Sequence, residues 1–208
     1  MYFIKGIFSQ ISKADFHIAR VEYYRSMSRL TMLTPDKMNK YQLALYETLT
    51  TNQGPDVEMT NPDGSLVGPF NLMVHEPRLG AALQKLGGIL LFRGSLSERA
   101  REIAILCVAA HQQSEFERSA HEAIGRTAGL TDAEMAAIAA RAPLTLADPI
   151  EACVLSASRA LLETGDLDDV QYADTVKLLG EAGAIELSTV IGYYSLVALQ
   201  LRLFRVPG

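Results

Sequence analysis

Helix-start signals recur along this chain and constrain its fold more than any other feature. Thr34 precedes Pro35, so a favoured N-cap residue is followed by the residue best tolerated at the first helical position. Leu43, Tyr46 and Leu49 then follow at the spacing of one helical face. This pattern predicts a helix that begins at Pro35 and presents an apolar face to a core.

Two further segments have the spacing of a capping box, in which a Ser or Thr and a Glu three residues later satisfy each other's backbone N–H groups. Ser95 with Glu98 predicts one helix start, and Thr131 with Glu134 predicts another. Further helices are predicted over 77–91, 115–128, 149–164, 168–179 and 181–203.

The helix predicted over 77–91 is weakened by the adjacent Gly87 and Gly88, because glycine is a poor helix former. No segment alternates between apolar and polar residues for long enough to indicate a strand. The chain is therefore predicted to be all-α, a single-domain bundle of about seven to eight helices.

The segment 51–69 is polar and rich in Gly, Pro, Asn and Asp, which predicts a long loop. Loops of this length in compact domains are often lids or binding loops. A surface loop without a function is an equally good interpretation, and the sequence leaves both open.

The charge balance argues against a nucleic-acid partner. The net charge is −5 and no basic cluster occurs, whereas binding to phosphates needs concentrated Lys and Arg. No segment approaches the ~20 apolar residues of a membrane-spanning helix. Lys5, Ser9 and Gln10 interrupt the apolar residues near the start, so no secretory signal is predicted and a cytoplasmic location is expected.

Residues 1–26 are predicted to be an N-terminal arm ahead of a helical domain over 27–208. The arm has two interpretations, an amphipathic helix or an extension that packs on a partner subunit. Cys107 and Cys153 lie far apart in apolar segments, without CxxC or zinc spacing, and are predicted to be buried small side chains. A reactive thiol is the alternative.

Glu117 and His121 are four residues apart in a predicted helix, so their side chains can meet. A surface ion pair is one interpretation, and an inward-facing acid–base pair is the other. Glu102 begins an uncharged helical segment, where a carboxylate is favoured by the helix dipole alone. Glu102, Glu117 and His121 could bind a metal, but no second histidine falls at helical spacing from His121, so no metal is predicted.

The segment 99–138, RAREIAILCVAAHQQSEFERSAHEAIGRTAGLTDAEMAAI, closely resembles the carboxymuconolactone decarboxylase family of the alkylhydroperoxidase D-like superfamily. The family has an R-E-L-x-I-L helix, a Y-E-W-x-x-H motif and an A-x-x-x-G-L-[ST]-x-x-E segment. Here these are matched by 101–106, by 116–121 and by the residues from Ala123 to Glu134. A looser similarity extends over about 28–203.

The departures from the family pattern restrict the activity that the resemblance implies. In the alkylhydroperoxidase D-like branch a C-x-x-C pair precedes the histidine, but Ser114 and Glu117 occupy those positions here. Without these thiols a thiol peroxidase is not expected. The decarboxylase-like branch has a glutamate at the position of Glu117, but its usual tryptophan is Arg118 and its usual tyrosine is Phe116, so the lactone substrate does not carry over.

The resemblance implies a cofactor-free enzyme that acts on a small lactone or carbonyl acid. His121, assisted by Glu117 and Glu102, is the expected group for proton transfer, since an imidazole can donate or accept a proton at neutral pH. Decarboxylation is the family precedent, and isomerisation or lactone hydrolysis would use the same groups. The expected substrate-binding residues are Arg101, Asn71, Phe116 and Tyr194, with Tyr193 a further candidate.

The resemblance also implies a homo-oligomer, either a trimer, a dimer of trimers or a dimer. No membrane partner is expected, because no segment has the ~20 apolar residues of a membrane-spanning helix. Helical segments 100–110 and 187–201 are apolar on more than one side, which favours extensive burial. Two alternatives stay open. One is a different reaction on the same scaffold. The other is a non-catalytic helical binding or assembly protein in which the Glu and His side chains form a structural network.

Overall fold

A computed structural model describes residues 28–51 and 59–206. The described residues form eight α-helices and one short 3-10 helix over Pro35–Lys37, with no strand beyond an isolated bridge between Thr60 and Leu66. The all-α prediction is confirmed. The helices are α1 (Lys40–Thr51), α2 (Gly68–His75), α3 (Pro77–Phe92), α4 (Glu98–Gln112), α5 (Glu115–Thr127), α6 (Asp132–Ala139), α7 (Pro149–Thr164) and α8 (Asp169–Leu203).

The described residues divide into two compact units, 28–51 and 59–82 with 203–206, and 83–202. In the first unit, the backbone N–H of Arg29 donates to the carbonyl of Phe204 at 2.8 Å. The buried side-chain amide of Asn71 accepts from the N–H of Leu33 and donates to the carbonyl of Thr31, each at 3.1 Å. These bonds hold the segment before α1 in place. The predicted arm over 1–26 lies outside the described residues.

The helix predicted from Pro35 is interrupted. Pro35–Lys37 forms one 3-10 turn, Met38 has extended backbone angles, and α1 begins only at Lys40. Asn39 explains the restart, because its side-chain oxygen accepts from the N–H groups of Tyr41 and Gln42 at 2.9 and 3.1 Å. Gln42 in turn accepts from the N–H of Asn39 at 2.9 Å, which completes a reciprocal cap.

The predicted loop over 51–69 is shorter than expected, because α2 already begins at Gly68. Its described part is folded back on itself: the N–H of Val67 donates to the carbonyl of Met59 at 2.9 Å, and Ser65 and Leu66 are fully buried. The remaining residues, 52–58, lie outside the described ranges, so a lid and a plain surface loop both stay predictions there.

In the second unit, α4 is the central helix, and every residue from Ala100 to Ala109 is buried. It packs against α5, α6 and α7. The prediction that this segment is apolar on several sides is thereby confirmed. Arg99 joins these helices at their ends: its Nε donates to the Glu151 carboxylate at 2.9 and 3.0 Å, its Nη2 donates to Glu134 at 2.6 Å, and its Nη1 donates to the carbonyl of Gly129.

The predicted capping box of Ser95 and Glu98 is wrong, whereas that of Thr131 and Glu134 is confirmed. Ser97 caps α4 instead, since its hydroxyl accepts from the N–H of Ala100 at 3.1 Å. Ser95 is already engaged elsewhere, because its N–H and its hydroxyl both donate to the Glu186 carboxylate at 2.6 Å.

Helix α8 contains the two helices predicted over 168–179 and 181–203, which meet at a kink at Gly180, where φ is 71°. By length and composition α8 could cross a membrane, but core helices of globular proteins pass the same test. Several of its side chains, including Leu187, Val190 and Tyr194, are buried in the core of the second unit. This criterion is therefore weak evidence for a membrane segment.

Candidate functional site

Helices α4 and α5 bring Glu102 and His121 into contact in the interior of the second unit. Nδ1 of His121 lies 2.7 Å from Oε2 of Glu102, a short hydrogen bond between side chains that are 7% and 0% exposed. Because an ionised carboxylate can only accept, Nδ1 is assigned as the donor. Glu102 thereby fixes the orientation of the imidazole and leaves Nε2 for another partner.

That partner is Glu117, one turn before His121 on α5. Oε2 of Glu117 lies 3.6 Å from Nε2 of His121, and Glu117 is 3% exposed. Burial raises the pKa of Glu117 to about 7, with His121 opposing the rise and the charge of Glu102 adding to it. The surface-pair interpretation is therefore wrong, because the imidazole has a buried carboxylate near each of its nitrogens.

Two tyrosines from α8 line this cluster. The Tyr194 ring meets the His121 ring edge-to-face, with centroids 5.0 Å apart, and Tyr193 meets Tyr194 in the same way at 5.2 Å. Burial, with the nearby charge of Glu117, raises the pKa of both phenols, that of Tyr193 to about 12. Both hydroxyls are therefore protonated at neutral pH and able to donate.

Arg101 brings a positive charge to the same place. It is buried, and its Nε lies 3.9 Å from Oε1 of Glu102. Neither of these two atoms has a hydrogen-bond partner among the described residues. Since buried polar atoms are rarely left unpaired, the pair offers one donor and one acceptor to a small polar molecule.

Two expected substrate-binding residues have other surroundings. Asn71 belongs to the first unit, where its amide is engaged by the backbone of Thr31 and Leu33. Phe116 precedes Glu117 on α5 and is half-buried. Their roles in binding stay predictions. Arg118, which replaces the family tryptophan, is exposed and pairs with Glu115 at 2.6 Å.

Neither cysteine has the surroundings of a reactive thiol. Cys107 is buried, and burial raises the pKa of its thiol to about 12, so it remains protonated at neutral pH. Cys153 is half-buried, and its thiol donates to the Thr175 hydroxyl at 3.7 Å. Within the described ranges, no group of three His, Cys, Asp or Glu residues is arranged to hold a metal ion.

A cavity of about 520 Å³ opens on the outer side of α5 and α6, where Arg118, Glu122 and Arg126 line it. A much smaller one lies beside Cys107 and His111. Neither cavity is lined by Glu102, Glu117 or His121. The three side chains of the cluster are themselves buried, with at most 7% of each exposed.

Comparisons with known proteins agree with this fold. Residues 77–160 match the profile of the carboxymuconolactone decarboxylase family. An alkylhydroperoxidase AhpD core protein from Ralstonia eutropha JMP134, described as peroxidase-related, superposes with a TM-score of 0.68 at 13% identity, over 87% of this chain and 92% of its own. A peroxidase-related protein from Silicibacter sp. TM1040 gives 0.67 at 12%, over 87% and 91%.

A third solved structure is the debrominase Bmp8, a cysteine-to-alanine variant in complex with 2,3,4-tribromopyrrole. It superposes with a TM-score of 0.63 at 14% identity, over 86% of this chain and 92% of its own. No curated protein matches the chain. At these identities the structures show a shared fold alone. The segment 77–160, which contains Glu102, Glu117 and His121, matches the carboxymuconolactone decarboxylase family, and the described residues have an AhpD-like all-α fold.

Proposed function

We propose that this protein is a cofactor-free lyase that acts on a small lactone or carbonyl acid by proton transfer through His121. The observation that supports it is the buried imidazole with Glu102 at Nδ1 and Glu117 near Nε2. The pKa of Glu117, which burial raises to about 7, is suited to proton transfer at neutral pH. The family match over 77–160 supports an enzymatic role, and decarboxylation is the reaction we propose.

Glu102 acts as the positioning residue. Its hydrogen bond to Nδ1 holds the tautomer and stabilises the imidazolium that forms when Nε2 takes up a proton. Burial raises the pKa of Glu117 to about 7, so its carboxyl group, 3.6 Å from Nε2, can exchange a proton at neutral pH. The pair is then the proton source on the side of the ring that faces away from Glu102.

In the proposed reaction the bond between the substrate carbon and its carboxylate breaks, and carbon dioxide leaves. The electron pair passes to the neighbouring carbonyl as an enolate. The pair of Glu117 and His121 then delivers its proton to carbon, and water restores that proton. Arg101, whose buried Nε lacks a partner among the described residues, is the proposed partner for a substrate oxygen. Isomerisation or lactone hydrolysis would use the same proton-transfer groups.

Thiol peroxidase chemistry is not part of the proposal. Ser114 and Glu117 stand where that chemistry needs thiols, and Cys107 holds its proton at neutral pH. The debrominase among the structural neighbours is likewise a guide to fold alone at 14% identity. A cytoplasmic location belongs to the proposal as well.

We also propose that the protein forms a homo-oligomer. Ile185, Leu196 and Leu199 on α8 are 66%, 40% and 50% exposed and fall at helical spacing. An apolar stripe of this kind is covered in a closed assembly of identical subunits.

A second candidate is a non-catalytic assembly protein in which Glu102, Glu117 and His121 form a structural network. The observation that favours it is the burial of all three side chains, each at most 7% exposed. Under this alternative His121→Ala changes subunit association and no chemistry is lost.

The test is a spectrophotometric assay of carbon dioxide release from a panel of small lactone acids and β-keto acids. Wild type is compared with His121→Ala and with His111→Ala, which removes a half-buried histidine from the end of α4. Turnover that is lost only in His121→Ala, with wild-type far-UV circular dichroism, supports the lyase. If wild type releases carbon dioxide from no acid in the panel, and His121→Ala changes only the mass of the oligomer, the assembly protein is supported.

A further inference from the structure

The adjacent Gly87 and Gly88 in α3 differ in what surrounds them. A Cβ atom added to Gly87 would lie 2.5 Å from the hydroxyl oxygen of Tyr193 and 3.0 Å from its Cζ, whereas one added to Gly88 would meet nothing within 4 Å. Glycine inside a helix is destabilising relative to alanine. At position 87 the missing side chain is what lets the Tyr193 hydroxyl lie against the backbone of α3.

Tyr193 connects the space beside Gly87 to the buried cluster. Its ring packs edge-to-face on Tyr194, which packs edge-to-face on His121, so the three rings form a continuous chain. Tyr194, which packs on His121, is 4% exposed, but Tyr193 is only half-buried. Tyr193 is therefore the more exposed of the two tyrosines, and it lies near enough to Glu117 for that carboxylate's charge to raise the pKa of its phenol.

We infer that Tyr193 donates a hydrogen bond to the oxyanion of the reacting substrate, and that Gly87 is the positioning residue that makes room for its hydroxyl. The inference rests on the proposed function, in which an enolate oxygen carries the developing negative charge. A cluster with two carboxylates needs a neutral or positive donor for that oxygen. Tyr193 supplies one without adding a charge to the interior.

The charge of Glu117 supports this role. Burial and that charge raise the pKa of Tyr193 to about 12, so its proton is present throughout the neutral range. A donor that keeps its proton stabilises an oxyanion without transferring the proton to it. Removal of one such donor from an oxyanion site typically lowers kcat by about 10²–10³-fold.

The probe for this test is 4-nitrophenol, whose phenolate absorbs in the visible and mimics an enolate oxygen. Wild type is expected to bind the phenolate and to lower the pKa of the bound phenol. Tyr193→Phe and Gly87→Ala are expected to weaken that binding at least about tenfold, because the first removes the hydroxyl and the second displaces it. Gly88→Ala is the matched control and is expected to bind as wild type does.

The same four proteins are then assayed with whichever acid wild type decarboxylates. Tyr193→Phe is expected to lower kcat about 100-fold with little change in KM, since the donor acts on charge that develops in the transition state. Phenolate binding that is absent in wild type, or equal in wild type and Tyr193→Phe, overturns the inference. A Gly87→Ala variant with the phenolate binding and kcat of wild type overturns the positioning role of Gly87.

Failure of the inference and failure of the proposed function give different results. A protein that decarboxylates through His121 with equal kcat in wild type and Tyr193→Phe rejects the inference alone. A protein that binds the phenolate through Tyr193 but turns over no acid rejects the proposed lyase and leaves the hydroxyl as an anion-binding donor. Far-UV circular dichroism of each variant accompanies both measurements.

Discussion

Nδ1 of His121 and Oε2 of Glu102 lie 2.7 Å apart between two helices, and the glutamate is completely withdrawn from solvent. A buried carboxylate is costly unless it is paired. Glu102 has this hydrogen bond and the Arg101 guanidinium 3.9 Å away, while its other oxygen has no hydrogen-bond partner within the described residues. The contact therefore links the orientation of the imidazole to the stability of the fold.

Replacing Glu102 tests that link. We expect Glu102→Ala to lower the free energy of unfolding by about 3 kcal/mol, because His121 would lose its buried partner and a small void would form. Glu102→Gln keeps the shape and is expected to cost less. Urea unfolding followed by far-UV circular dichroism measures both. Glu98→Ala, an exposed carboxylate on the same helix, is the control; a Glu102→Ala variant as stable as that control would disprove the link.

The pH dependence of stability is expected to report Glu117. Its pKa is raised to about 7 in the folded protein from 4.5, so the folded state binds its proton more tightly than the unfolded state does. Its stabilising contribution is therefore fully present below pH 4.5 and is lost as the pH rises through 7. The loss amounts to about 3 kcal/mol.

Unfolding free energies at several pH values from 4.5 to 8 are compared for wild type and Glu117→Gln. The amide cannot ionise, so the difference between the two proteins is expected to grow in favour of the variant as the pH rises. Parallel curves would show that the pKa of Glu117 is the same in the folded and unfolded protein.

Arg99 is expected to matter for stability more than a surface arginine does. Its Nε donates to both carboxylate oxygens of Glu151, and its other two nitrogens donate to Glu134 and the Gly129 carbonyl, so lysine cannot replace all of its bonds. We expect Arg99→Lys to cost about 1–3 kcal/mol in urea unfolding. Arg126→Lys, whose pairs with Glu122 and Asp132 are exposed, is expected to cost under about 1 kcal/mol. Equal losses would contradict this account.

The capping box at α6 is expected to be worth about 1 kcal/mol. Thr131→Ala removes a hydroxyl that accepts from the N–H of Glu134 at 3.2 Å. Ser114 occupies the N-cap of α5 but its side chain makes no cap hydrogen bond, so Ser114→Ala is expected to cost less. Thermal unfolding of the two variants under one condition measures the difference, and a larger loss in Ser114→Ala would refute it.

Much of the helical layout could be predicted from local signals. The spacing of Thr131 and Glu134 and the glycine at 180 act within one turn, so their consequences do not depend on distant residues. The helix starts that were predicted wrongly depend on which of several residues the candidate cap binds in the folded protein. Ser95 is taken by Glu186, which lies 91 positions later, and Asn39 outcompetes Pro35 as the start of α1.

The orientation of the site was harder to predict for a related reason. Glu117 and His121 have the same spacing in a surface ion pair as in a buried acid–base pair. Their burial is decided by Glu102 and the tyrosines of α8, which only the packing of helices brings near. Similarly, the Gly87–Gly88 pair is visible in the sequence as a weak point in a helix. Only the position of Tyr193 distinguishes the two glycines.

The most direct test of the central claim is the pH dependence of carbon dioxide release by wild type and Glu117→Gln, measured on the best acid of the panel. Because the reaction needs a proton delivered to carbon, we predict wild-type kcat that is high at low pH and falls as the pH rises through about 7, where Glu117 titrates. In Glu117→Gln that decline is predicted to disappear and kcat to be lower. The same decline in both proteins, or no turnover at any pH, would contradict the claim that Glu117 and His121 deliver the proton.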